Sequence, residues 1–311
     1  MYDIFLKTVP FFALIAVGYW AGRTRFFTEE ATAYLTKFIF YFALSAMLFK
    51  FSSNLSLGEL LDWQFMQAYL YGSVIVYLLA TAVAIVRKKP MAEAAIEAQC
   101  SVIGNVGFLG IPMLALLMGE AAVGHVMMVL AVDLLVFGSL IVMVIVGSRD
   151  GRMSIGIFRT LFMGLIRNPM IVSIILGLSW SAWEIPIPAP LNEFMTMLGA
   201  AATPGALFAI GASLASKSAE RVQVAGWLSF CKLVLHPLVV AYFALVLFDV
   251  DPYAAAVMIA ACSLPVAGNI YMIAQHYGVA PQRVSASILI STALSIVTVS
   301  LVIAWGTPLY S

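Results

Sequence analysis

The chain has 311 residues, of which 63% are hydrophobic and only 10% charged, with a mean hydropathy of +1.03. Soluble domains carry about 25% charged residues, so a soluble enzyme or binding module is excluded. A formal net charge of +1, with no basic aromatic-rich patch, gives no reason to expect a nucleic-acid partner.

Apolar runs of about 18 residues or more recur throughout, which marks a polytopic all-α membrane protein. The first run has no basic stretch ahead of it and reads as a span, not a cleaved signal. Five spans are expected at roughly residues 5–22, 29–51, 61–86, 91–118 and 120–147, and five more at roughly 158–181, 190–216, 224–248, 252–278 and 281–305. The longest connection, Ser148 to Ile157, separates a first half, 1–150, from a second, 151–311. An odd number of spans per half sends the second half into the membrane in the opposite sense, so two inverted five-helix repeats are expected. Connections after odd-numbered spans carry Arg23, Arg25, Arg87, Lys88, Lys89, Arg149, Arg152, Arg159, Arg167, Lys217, Arg221 and Arg283, whereas the other side has Lys7 and Lys50. Basic loops stay in the cytoplasm, which places both termini outside and the central connection inside.

Along the chain, the third span, YLYGSVIVYLLATAVAIV, is unbroken and without charge, as a packing or lipid-facing helix should be. The fourth contains QCSVIGNVGFLGIPMLALLMG, Gln99 to Gly119, where Gly104, Gly107 and Gly110 loosen the helix, Asn105 adds an amide and Pro112 is expected to break it. The ninth repeats the theme in CSLPVAGNIYMIAQHYG, Cys262 to Gly278, with Pro265, Gly268 and Asn269. Freed backbone at membrane depth is tolerated only inside protein or beside a water-filled cavity. Two interrupted spans at corresponding places in two halves point to a binding site between them; kinked packing helices are the plainer alternative. The seventh span carries Thr203-Pro204-Gly205 and the eighth His236-Pro237.

Ionisable residues inside spans are functional candidates because a charge at the bilayer centre costs about 2.5–3.5 kcal/mol or more. Asp133, mid-span in the fifth, is either a proton or cation site or half of a structural pair with Lys232. Lys232 and His236 lie one turn apart on the eighth span; Lys232 can alternatively snorkel, and His236 can satisfy carbonyls released by Pro237. Glu93 and Glu97 read as solvated residues at the fourth span's cytoplasmic mouth, His276 as structural or gating, and His125 as wet. Cys100, Cys231 and Cys262 fall inside apolar runs, as small packing residues do. No zinc-binding HExxH pair, G-x-S-x-G elbow, Walker loop or dinucleotide loop is present, and the histidines and cysteines lack metal-ligand spacing, so neither enzyme, metal nor cofactor is expected.

NVGFLGIPML at Asn105 to Leu114, LPVAGNIYMIAQHYG at Leu264 to Gly278, TPGALFAIGASLAS in the seventh span and KLVLHPL in the eighth resemble bacterial members of the auxin efflux carrier family. That family includes plant auxin exporters and bacterial permeases for malate or malonate. The resemblance covers nearly the whole chain and implies ten helices with broken crossover helices four and nine, a fold shared with bile acid–sodium symporters. It implies a dimerising scaffold from spans one, two, six and seven, and a transport domain from spans three to five and eight to ten, in a bacterial inner membrane. It implies secondary transport of a small organic carboxylate, auxin-like or a dicarboxylate, by an elevator-type movement, with a proton or sodium as coupling ion. Asn105, Gly107, Pro112, Pro265, Gly268 and Asn269 are then the substrate-site candidates, and Asp133, Lys232 and His236 the coupling candidates. A sodium-coupled bile-acid-type symporter and a receptor that binds without transporting are the alternatives. Ser45, where the family pattern leads one to expect proline, argues against a break in the second span, and the long cytoplasmic loop of plant members is missing.

Overall fold

The computed structural model describes residues 2–55, 62–150, 159, 163–216 and 222–306. Within them the chain is helical, with one isolated antiparallel bridge. Residues 151–157 of the expected central connection, Arg152 among them, most of the start of the sixth span, and the loop holding Lys217 and Arg221 lie outside the described residues.

In chain order the helices are α1 (Tyr2–Arg23), α2 (Glu29–Ser52), α3 (Trp63–Val86), α4 (Met91–Val102), α5 (Val106–Met118) and α6 (Ala122–Ser148). They continue with α7 (Pro169–Ala182), α8 (Ala189–Ala215), α9 (Val222–Leu247), α10 (Pro252–Cys262), α11 (Gly268–Tyr277) and α12 (Pro281–Gly306). Six of them, α2, α3, α6, α8, α9 and α12, are long and apolar enough to cross a membrane; α5, α7 and α10 are shorter and apolar. The expected fourth and ninth spans are each two short helices.

Helix starts follow from capping side chains. Thr28 accepts from the Ala31 N–H at 3.1 Å, Asp62 from Phe65 at 2.9 Å, Asn168 from Met170 at 3.0 Å, and Asp251 from Tyr253 and Ala254, both at 3.0 Å. Pro169 and Pro252 follow two of these caps, where a fixed φ suits the first turn and no N–H is missed. Gly278, with φ of 64°, ends α11 in the left-handed region.

Several helices widen locally into π turns. Ile39–Ala43 lies in α2, Asp133–Phe137 in α6, and Cys231–Leu235 and Phe243–Leu247 in α9. The Cys231–Leu235 turn stands just before His236-Pro237, and widening there gives room for a ring that would clash with the carbonyl four residues back. α2 is continuous through Ser45, whose hydroxyl donates to the Phe40 carbonyl at 3.2 Å, so its irregularity is a π turn and not a break. α8 is interrupted at Ala201, just ahead of Pro204.

Two sets of helices pack most heavily among themselves. In one, α1 lies on α8, and α7 and α8 lie on α2; in the other, α3, α4, α6, α9, α10 and α12 interlock. The α1–α8 contact is backbone to backbone. A Cβ on Gly18 would stand 2.1 Å from the Phe208 carbonyl oxygen, and one on Gly211 would stand 1.9 Å from that of Ile15. Only glycine allows this approach, and close approach of this kind replaces the hydrophobic drive that helices lack in lipid.

Candidate functional site

The two breaks meet. α4 stops at Val102 and α5 starts at Val106; α10 stops at Cys262 and α11 starts at Gly268. Between them Gly104 and Val266 form the antiparallel bridge, with the Asn105 N–H donating to the Pro265 carbonyl at 2.8 Å and the Ala267 N–H to the Ile103 carbonyl at 3.1 Å. The Val266 N–H donates to the Ser291 hydroxyl of α12 at 3.0 Å. Part of the backbone released by each break is thus satisfied by the other break and by α12, as an apolar surrounding demands.

The interruption lies upstream of where the proline suggested. Pro112 lies inside α5, immediately after the π turn Val106–Gly110 and Ile111, whereas the residues outside helix are Ile103 to Asn105. The widening of that π turn gives room for the proline ring, as the π turn before Pro237 does in α9. Gly107 faces α7, where a Cβ would stand 2.7 Å from the Met170 methyl carbon. Pro265 is buried in the bridge, and Gly268 and Asn269 open α11 and are exposed. Asn105 is buried at 7% exposure. Neither asparagine's carboxamide has a hydrogen-bond partner among the described residues.

Behind the bridge lies a buried polar network. Tyr69 donates its hydroxyl to Asp133. One turn on, the Ser73 hydroxyl is 2.9 Å from His236 Nε2, and His236 Nδ1 is 3.2 Å from Lys232 Nζ. Lys232 donates to the Cys262 carbonyl at the end of α10. Tyr69, Ser73, Asp133, Lys232 and His236 are all under 5% exposed, and Asp133 Oδ2 has no partner among the described residues. Asp133 and Lys232 each sit in a π turn, a feature frequent at functional sites.

Three expectations change here. Asp133 and Lys232 form no ion pair with each other: the carboxylate takes the Tyr69 hydroxyl and the ammonium takes a helix-end carbonyl. Nor does Lys232 snorkel, since it is fully buried. The third span is not bare packing, because α3 supplies Tyr69 and Ser73; two polar side chains one turn apart in an apolar helix were the signal.

Glu97 is a further correction. It is fully buried and not solvated, held by Arg87 from the end of α3 and by Arg283 Nη1 of α12 at 2.6 Å. Arg283 Nη2 also reaches Glu93 at 3.0 Å, and Glu93 stays 30% exposed. A buried carboxylate is tolerable only when so paired. His125 is half-buried between the rings of Phe65 and Tyr253, with centroids 5.5 and 5.8 Å away, and His276 is exposed beside Tyr277. Cys100, Cys231 and Cys262 are buried and free. Among the described residues no group of three histidines, cysteines or carboxylates could hold a metal ion.

The chain matches, over residues 3–303, the model of a sequence family described as membrane transport protein. It is 32% identical over 308 residues to a Rhizobium meliloti (strain 1021) protein named "Putative malonate transporter", covering 96% of this chain and 95% of that one. It is 22% identical over 304 residues to a protein of Methanocaldococcus jannaschii named as an uncharacterized transporter, covering 94% of each.

Proposed function

We propose, from the premise that the chain belongs to the membrane transport protein family, the auxin efflux carrier family, that it is a secondary transporter of a small organic carboxylate, with malonate the first candidate. The observation that carries the reading is the pairing of the two breaks through Gly104 and Val266. α5 and α11 both begin beside that bridge. Each helix start offers unpaired N–H groups and roughly half a unit of positive charge, which suits a carboxylate, as in other broken-helix carriers. Asn105 and Asn269 stand at those starts with amides that have no hydrogen-bond partner among the described residues, and can donate to such a ligand. The relative named for malonate supports this substrate class.

In this reading α4 with α5, and α10 with α11, are the broken fourth and ninth of ten spans arranged as two inverted repeats. The set α1, α2, α7 and α8 is a scaffold, through which two copies dimerise, and the remaining helices carry the site past it. Asp133, with one buried oxygen unpartnered among the described residues, is the proton-coupling candidate. Its partner Tyr69 meets the ring of His236 with centroids 6.0 Å apart, and His236 and Lys232 lead on to the bridge. Both termini face outward. Single cysteines at Lys88 and Glu184 in a cysteine-free background are expected to label only from inside and only from outside, respectively; the reverse pattern overturns the orientation. The function itself is tested by counterflow: proteoliposomes loaded with unlabelled malonate should accumulate labelled malonate transiently. Binding of malonate without counterflow would make the protein a receptor, and neither binding nor counterflow with any small carboxylate would refute the substrate class.

A further inference from the structure

We infer that the ammonium of Lys232 is the protein's own cation at the meeting of the two breaks, standing where a bound sodium ion would otherwise be needed. The case begins with carbonyl accounting at the end of α10. The last carbonyls of a helix have no intrahelical donor. Those of Ile259 and Ala260 receive the Ser263 N–H, both at 3.1 Å, and that of Ala261 receives Leu264 at 3.3 Å. The Cys262 carbonyl receives Lys232. The last carbonyl of the helix, that of Cys262, is therefore closed by an ammonium, while the three before it are closed by backbone.

Lys232 also touches the other break. A Cβ at Gly104 would stand 3.2 Å from both Cε and Nζ of Lys232, and 3.4 Å from the Ala261 carbonyl oxygen. The lysine stem thus lies against the backbone of the α4–α5 break while its head lies on the end of α10. Both α4 and α10 direct their C-terminal, partially negative ends toward this place. Oxygen-rich, negative and buried, it has the chemistry that hard cations select. No carboxylate comes within ion-pairing distance of Lys232 among the described residues, so the helix ends are its nearest negative partners.

His236 and Ser73 fix the ammonium laterally. An ammonium facing Nδ1 at 3.2 Å makes that nitrogen the acceptor, which leaves the ring proton on Nε2 to donate to the Ser73 hydroxyl at 2.9 Å. Lys232 is fully buried although its length would let it reach toward an interface. The inward choice is what a charge required at the bridge would make.

The inference shares the bridge with the carboxylate reading but does not depend on it, because its test reads stability and not transport. Thermal unfolding of the purified full-length protein in detergent is followed in sodium, choline and butylammonium chlorides at equal ionic strength. Wild type should melt at the same temperature in all three. Lys232→Ala should melt several degrees lower in choline and recover in butylammonium, which restores both stem and charge; Lys232→Met, which fills the space without charge, should be lowered and not recover. A wild type stabilised by sodium over choline overturns the inference, as does a Lys232→Ala protein indifferent to the added cation. If Lys232→Ala yields no folded protein, Lys232→Arg is compared with Lys232→Met: a more stable arginine variant supports the tethered cation, and equal or lower stability overturns it.

Discussion

Replacing Asn105 by alanine separates ligand binding from folding, because of how its side chain is placed. Its backbone is committed: the N–H donates to Pro265 at 2.8 Å, and its carbonyl accepts from Leu109 and Gly110 at 3.1 and 3.0 Å. Alanine keeps all three bonds. The carboxamide has no partner among the described residues, so its removal strands no donor or acceptor, and stability should change little. A donor aimed at a charged ligand is worth about 1.5–3 kcal/mol, which is roughly a ten- to hundredfold loss of malonate affinity. The same loss is expected for Asn269→Ala, whose exposed position in the first turn of α11 makes an effect on folding smaller still. The assay is isothermal titration of malonate, with the melting temperature without ligand as control. Alanine variants that bind malonate as tightly as wild type would place the site elsewhere, and a large fall in unliganded melting temperature would show that the amides hold the fold.

Glu97→Gln should destabilise the protein by roughly 3 kcal/mol, the lower end for breaking a buried pair, since Arg87 is 30% exposed and can turn to water; Glu97→Met with Arg283→Met should recover part of the loss, and a cost for Glu97→Gln below about 1 kcal/mol would refute the assignment. Asp133→Asn keeps an oxygen for the Tyr69 hydroxyl and should fold and exchange substrate while losing gradient-driven accumulation; unimpaired accumulation in proteoliposomes removes Asp133 from coupling. Gly211→Ala, which places a Cβ 1.9 Å from the Ile15 carbonyl oxygen, should cost about 1–3 kcal/mol or more in denaturation. Gly226→Ala, which meets nothing within 4 Å, should be neutral or stabilising by up to about 1 kcal/mol; similar losses in the two variants would contradict the α1–α8 geometry.

The class of the protein, the two interruptions and the charged positions were legible in the sequence because each depends on local chemistry. Hydropathy marks the spans, and glycine with proline marks weakened helix. What the sequence could not place was anything settled by a distant partner. Pro112 drew the break toward itself, yet the break sits at Ile103 to Asn105, where Pro265 and Ala267 supply hydrogen bonds from the far end of the chain. Glu97 looked solvated because one of its two partners, Arg283, is 186 residues away. Asp133 and Lys232 looked like a pair because opposite charges in lipid invite pairing. Each instead found a neutral partner, a phenol and a carbonyl, that no charge pattern reveals.

The distribution of polar contacts bears on how the site could move. The four ion pairs among the described residues, involving Arg87, Lys89, Glu93, Glu97 and Arg283, lie within the set built on α3, α4 and α12. The Asp133, Tyr69, Ser73, His236 and Lys232 network lies within the same set. Where that set meets α1, α2, α7 and α8, the contacts are of another kind. The flexible Met170 side chain lies on Gly107, Phe40 stacks on Phe108 at 6.4 Å, and the Thr8 and Ser300 hydroxyls are 3.0 Å apart. Buried charge pairs are costly to separate, at about 3–5 kcal/mol for each broken pair. Methionine and aromatic surfaces can slide and repack at far lower cost. The proposed elevator movement needs this partition, with the ion pairs inside the moving body and uncharged contacts across its boundary. The proposed transport domain meets that requirement at the boundary between α5 and the helices α2 and α7.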